Sequence, residues 1–188
     1  MELNNPKILF LHSAGPQHEE EGSARLLRAL RASLSAEYDI IAPLLPHPDN
    51  PDYVSWKNAV AGLLQVMDEG MIIIGHSFGG SVLLKYLSEH TFTKPIAAIF
   101  LVAVPFWGHD EEWEVPEFHL VPQFAERLPP VPVITVFHSK DDAVIPVTHA
   151  ARYAAEIPNA TLQLSDGHGH VFWDGLPELV TAVRDVGR

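Results

Sequence analysis

Residues 71–81 read MIIIGHSFGGS. Four apolar residues, Met71, Ile72, Ile73 and Ile74, run directly into Gly75-His76-Ser77-Phe78-Gly79-Gly80. The apolar positions of the next segment, Ser81-Val82-Leu83-Leu84-Lys85-Tyr86-Leu87, then recur at helical spacing. A buried strand that turns sharply into a helix is the setting in which G-x-S-x-G carries meaning. Gly75 and Gly79 allow neighbouring backbone to pack closely, and Ser77 is expected in a strained turn with its hydroxyl exposed. Ser77 is therefore the candidate nucleophile. The plainer reading is a glycine-rich turn with a capping serine. A phosphate cradle fits poorly, because the stretch has neither G-x-G-x-x-G spacing nor Gly-Lys-Ser/Thr.

Working outward, short apolar runs alternate with amphipathic segments. Residues 7–11 form a strand that ends at His12-Ser13-Ala14-Gly15. A helix follows, with Leu26, Leu27, Leu30 and Leu34 on one face, Arg25, Arg28 and Arg31 on the other, and Glu19, Glu20 and Glu21 near its positive end. Residues 38–42 (YDIIA) are the second strand and open into a proline-rich loop over 43–51. The second helix carries Trp56, Val60, Leu63, Leu64 and Met67 and is expected to stop at Gly70. Residues 95–104 are a fourth, wholly apolar strand. Residues 131–137 and 160–164 are the fifth and sixth strands, separated by a helix over 146–157 that begins with proline. Leu176, Leu179, Val180, Val183 and Val186 mark the last helix. This alternation predicts an α/β fold: a three-layer α/β/α sandwich around a mostly parallel sheet of about six strands. The whole chain, 1–188, reads as one domain, with 105–130 as a small flap-like insertion.

Composition narrows the function classes. The 188 residues carry 24 Asp and Glu against 12 Lys and Arg, a formal net charge of −12, which argues against a nucleic-acid partner. There is no Cys, so neither a thiol nucleophile nor a disulfide framework is available. The N-terminal run is too short for a secretory leader and no stretch approaches membrane-spanning length, so a cytoplasmic protein with no membrane partner is expected.

A serine hydroxyl is a weak nucleophile and needs a base, which in turn needs an orienting carboxylate. In open α/β sheets such groups collect in the loops at the carboxyl ends of the strands. After Ser77 the expected order is acid, then histidine. Strand five ends at His138-Ser139-Lys140-Asp141-Asp142 and strand six at Ser165-Asp166-Gly167-His168-Gly169-His170, so each partner has two candidates. The oxyanion donors are expected to be the amide of Phe78, at its helix N-terminus, and an amide from the loop after strand one.

The segments GHSFGG, HSKDDAVIP and DGHGHVFWD together resemble the α/β-hydrolase superfamily. The likeness is to its small lidless serine hydrolases of the retinoblastoma-binding protein 9, YdeN and dienelactone-hydrolase kinds. The resemblance implies a minimal hydrolase fold without a large cap, and a serine esterase needing no cofactor. Its D-x-x-[VI]-P pattern falls on Asp142-Ala143-Val144-Ile145-Pro146, which makes Asp142 the acid and leaves Asp141 to face solvent or tie down the turn. Its G-x-G-H-x-F pattern puts His170 rather than His168 in the histidine slot. Where relatives have an HG-x loop, Ser13 follows His12; Ser13 and Ala14 are both open as the second oxyanion donor, with Ala14 favoured, and His12 is expected to be a structural hydrogen-bonder.

Phe106, Trp107, Trp113 and Val144 are candidates for an apolar wall around a small or short acyl group, although the aromatics also suit packing of the flap. The expected substrate is a small-molecule ester and the expected assembly a monomer or homodimer. Two other readings compete. One is a metal-dependent hydrolase using His168, His170 and Asp166, which lacks H-E-x-x-H and a ligand from another strand end, so no metal is expected. The other is a non-catalytic or weakly active protein-interaction module on the same scaffold.

Overall fold

The computed structural model describes residues 5–186; residues 1–4, part of the stretch read for a leader, and 187–188 lie outside the described residues. Six strands, β1 (Lys7–Leu11), β2 (Asp39–Ile41), β3 (Met71–His76), β4 (Ile96–Val102), β5 (Val133–Ser139) and β6 (Ala160–Ser165), form one sheet in the order β2-β1-β3-β4-β5-β6. Every pairing is parallel. The helices are α1 (Ala24–Leu34), α2 (Tyr53–Val66), α3 (Phe78–Glu89), α4 (Phe124–Arg127), α5 (Val147–Glu156) and α6 (Pro177–Asp185).

Strand β3 explains why the sheet is covered on both faces. All six of its residues are buried. Met71 and Ile73 pack with Trp56, Val60 and Leu64 of α2, Val82 and Leu83 of α3 and Tyr153 of α5. Ile72 and Ile74 point the other way, into Leu26, Leu30 and Leu34 of α1 and Leu179 and Val183 of α6. Alternation along a strand that is apolar on both sides requires a helical layer on each face. Each buried isoleucine contributes about 1.5–3 kcal/mol. The edge strands differ, with half of β6 exposed and β2 only three residues long.

Since α1 crosses one face and α2 and α3 the other, the chain leaves β1 and β3 in opposite directions. The two strands are neighbours, paired from Ile8 and Ile72 to Leu11 and Gly75. That divergence opens a crevice at their carboxyl ends, where open α/β sheets bind ligands.

Element ends depart from the sequence expectation where tertiary contacts override local signals. Helix α2 begins on an Asp52 cap, whose carboxylate accepts from the Ser55 amide at 2.8 Å. It stops at Val66 rather than at Gly70, because Met67 turns extended and the Gly70 amide donates to Pro95 on the approach to β4. Pro146 precedes α5 as an extended cap rather than occupying its first turn. No acid lies in the first turn of α1; Glu20 sits ahead of it and pairs with Arg25 and Arg28. Residues 105–130 hold two single 3-10 turns, Glu111–Trp113 and Pro116–Phe118, and then α4.

Close backbone contact joins α3 to β1. A Cβ on Gly79 would meet the carbonyl oxygens of Leu11 and His12 at 2.5 Å, and neither can retreat without breaking the sheet. Gly79→Ala should destabilise the protein by about 2–3 kcal/mol. Gly62 is exposed within α2, and a Cβ added there would meet nothing within 4 Å, so it should behave oppositely: Gly62→Ala should stabilise by about 0.5–1 kcal/mol. Urea denaturation of the two variants, read against the wild type, checks both signs.

Candidate active site

Ser77 occupies the turn between β3 and α3 with φ 50° and ψ −123°, a region that non-glycine residues rarely adopt. Its amide donates to Val102 at 2.8 Å, and its carbonyl accepts from Gly80 at 3.0 Å, so both sides of the turn are held. Although Ser77 stands at the N-cap position, its hydroxyl makes no capping bond. It lies 3.1 Å from His170 Nε2 instead.

His170 Nδ1 is 2.9 Å from Asp142 Oδ2. The other carboxylate oxygen accepts from the amides of Val144 at 2.8 Å and Ile145 at 2.9 Å, and the side chain has no solvent exposure. Burial opposes its ionisation, but the His170 hydrogen bond and the two amides outweigh it and hold the carboxyl below its usual range. An ionised carboxylate can only accept, so His170 carries its proton on Nδ1 and presents an Nε2 lone pair to Ser77. Beneath Asp142, the buried His138 donates from Nε2 to Ile145 at 2.8 Å, and burial lowers its pKa.

The two alternates lie elsewhere. Asp141 accepts from the Ser139 hydroxyl and from the amides of Gly167 at 3.0 Å and Gly169 at 3.2 Å. It therefore ties the loop after β5 to the loop that carries His170. His168 stacks on Phe172 with ring centroids 5.7 Å apart, while its amide donates to Ser139 Oγ.

On the loop after β1, His12 Nε2 accepts from the Leu45 amide at 2.8 Å, which leaves Nδ1 to donate to the Ser13 carbonyl at 2.6 Å. Burial lowers its pKa, so it is a neutral hydrogen-bonder. The Ser13 amide is committed to Ser23 Oγ at 2.8 Å. Among the described residues, no such bond holds the Ala14 amide. The Phe78 amide lies in the first turn of α3, where helical amides have no partner within the helix.

The four candidate wall residues separate. Trp107 donates from Nε1 to Ser81 Oγ at 3.1 Å and meets Phe78 edge-on. Phe106, at the start of the flap, is buried against Tyr153 and Phe124, with the Arg152 guanidinium 4.0 Å above its ring. Trp113 packs between Trp107 and His149. Val144 is half exposed on the acid loop. Phe118, which sequence reasoning passed over, packs on both Phe78 and Trp107 at 4.8 Å. His76 and Ser23 were also missed, although the alternation along β3 could have shown that His76 faces α1.

Asp141 is held below the usual carboxylate range, first by the Ser139 hydroxyl and then by the glycine amides. A depressed carboxyl stabilises the fold above its unfolded pKa and loses that contribution as pH falls through the folded value. Asp141→Asn should therefore lower the urea midpoint at pH 7, with the gap to wild type closing in strong acid. An equal gap at both pH values would contradict the assignment.

Known proteins share the fold of this chain and one family model matches its sequence. The ydeN gene product of B. subtilis superposes with a TM-score of 0.79 at 17% identity, over 97% of this chain and 99% of that one. CarC, a serine hydrolase involved in carbazole degradation, gives 0.74 at 17%, over 97% and 91%. The esterase RhEst1 from a Rhodococcus species gives 0.69 at 20%, over 97% and 90%. At these identities the likeness establishes the α/β-hydrolase fold. No curated protein matches the sequence significantly. The family model for serine hydrolases matches residues 27–175, well over half of the chain. On that match, the chain belongs to the serine hydrolase family.

Proposed function

We propose that the enzyme hydrolyses small carboxylic esters through an acyl-enzyme formed on Ser77. The observation that carries this reading is the continuous chain from Ser77 Oγ to His170 Nε2 and from His170 Nδ1 to Asp142 Oδ2, at 3.1 and 2.9 Å. Ser77 attacks the ester carbonyl as its proton passes to His170 Nε2. The Nδ1–H bond to Asp142 stabilises the imidazolium that forms. Collapse of the tetrahedral intermediate expels the alcohol, which takes the proton from His170. Water then repeats the sequence, with His170 as base, to release the carboxylic acid and restore the Ser77 hydroxyl.

The amides of Phe78 and Ala14 are the proposed oxyanion donors. What favours Ala14 over Ser13 is that the Ser13 amide already has an acceptor in Ser23. The substrate wall is proposed to be Trp107 and Phe118, which flank Phe78 on the flap side. The esterase among the structural neighbours adds support for an ester as substrate.

A fluorophosphonate probe should label the wild type, and Ser77→Ala should lose both the label and activity on p-nitrophenyl esters. Persistent labelling of that variant would refute the assignment of the nucleophile. Asp142→Asn should leave Ser77 in place but lower kcat by about 10,000-fold, because the amide no longer selects the Nδ1–H tautomer. Asp141→Asn should cost far less. A panel of esters graded from acetate upward should show highest kcat/KM at short chains; a rise with chain length beyond octanoate would overturn the small-substrate reading.

A further inference from the structure

We propose that His76 is a positioning residue that fixes the backbone of His170 and the loop bearing the second oxyanion donor in one hydrogen-bonded frame. The inference rests on the Ser77, His170 and Asp142 reading above and extends it to a side chain that touches no reacting atom.

Side-chain alternation along β3 sets the direction of His76. Ile72 and Ile74 face α1 and α6, so His76 faces the same way, under the His170 loop and beside the start of α1. Its ring has no solvent exposure. Nε2 lies 2.9 Å from the carbonyl oxygen of His170. A carbonyl only accepts, so this nitrogen carries the proton and Nδ1 presents a lone pair. Ser23 Oγ, 2.7 Å from Nδ1, must then donate to it.

With its proton spent, Ser23 Oγ accepts from the Ser13 amide at 2.8 Å and faces the Ser13 hydroxyl at 3.1 Å. Gln17 closes the frame: its Oε1 accepts from the Ser23 amide at 3.0 Å, and its Nε2 donates to the carbonyls of Ser13 and Gly15. One tautomer satisfies every member, as a buried polar network requires.

Two details argue that this frame serves the site as well as the fold. Ser23 stands at the N-cap of α1 but makes no capping bond, although serine is a preferred residue there for that bond. Its hydroxyl is given to His76 instead. The rings of His76 and His170 are also adjacent, with centroids 5.4 Å apart. Burial, reinforced by the charge of His170, pushes the His76 pKa down to about 3. His76 thus stays uncharged when His170 becomes an imidazolium, and it holds the loop without repelling the charge that develops there.

The test uses three substitutions at one position. In His76→Gln the amide reaches the place of Nε2 and can still donate to the His170 carbonyl. In His76→Asn it reaches only the place of Nδ1 and can bond Ser23 alone. His76→Phe does neither. A misplaced base lowers turnover more than binding, so kcat should fall about 10- to 100-fold in the Phe and Asn variants with KM within about 2-fold. The Gln variant should recover most of kcat. The downfield proton resonance of His170 Nδ1–H should weaken in the Phe and Asn variants and persist in the Gln variant.

The inference is overturned if the Phe and Asn variants keep wild-type kcat, so that only thermal stability separates them from wild type, or if the Gln variant loses as much kcat as the Asn variant. Should the Phe variant fail to fold, the Asn and Gln pair decides alone. Ser77→Ala, assayed alongside, separates the two levels. An active Ser77→Ala enzyme removes the underlying nucleophile reading, whereas an inactive one beside unimpaired His76 variants removes this inference only.

Discussion

The turn at Ser77 is conformationally expensive, and much of the surrounding structure can be understood as what keeps it in place. A non-glycine residue at φ 50° costs on the order of 1–3 kcal/mol and persists only where its surroundings over-determine it. Here the Ser77 amide is bound to β4 and its carbonyl to α3. Gly79 lies against the last carbonyls of β1 and its loop, and Gly80 lies where a Cβ would strike Val104. The contact that stabilises the turn also brings the start of α3 against the loop after β1. The loops after β5 and β6 meet the serine from another side, through Asp142 and His170.

The same dependence explains what could be read from the sequence and what could not. Strands β3 and β4 were legible because burial on both faces leaves an unbroken apolar run. The end of α2 was not, since Gly70 offers a local stop signal but its amide is claimed by Pro95, far along the chain. Ser77 stood out because its motif has a local conformational requirement. Only the D-x-x-[VI]-P pattern of the resembled family favoured Asp142 over Asp141, as both leave the same strand end. Their difference is tertiary: one faces the amides of Gly167 and Gly169, the other faces His170. His168 and His170 diverge for a similar reason, with Phe172 providing a stacking surface for one of them.

Charge is distributed with equal economy. His12, His76, His138 and His149 are buried, and burial lowers the pKa of each. His12, His76 and His149 each act as a neutral relay that donates from one ring nitrogen and accepts at the other, a capacity no aliphatic side chain has. The carboxylate of Asp142 is then the buried charge facing His170, undiluted by neighbouring imidazolium groups. Under the proposed mechanism, its field acts chiefly when His170 gains a proton, which is when stabilisation lowers the barrier.

The flap follows from this polar interior too. Asp110 accepts from His149 Nε2 at 3.0 Å while the Phe106 amide donates to Nδ1 of the same ring, so one neutral histidine of α5 holds two points of the insertion. Lys85 of α3 donates to the His119 carbonyl at 2.5 Å, and Ser81 of α3 receives the Trp107 indole. The segment is thus tied to α3, which starts directly after Ser77, and to α5, which follows Asp142. To open as a lid, the segment would have to break these four bonds together, one of them buried and three partly buried. Under the proposed function, this multiple tethering favours a fixed wall over a lid. Selectivity would then depend on the shape of the Trp107 and Phe118 surface against the bound acyl or alcohol group, and not on closure around it.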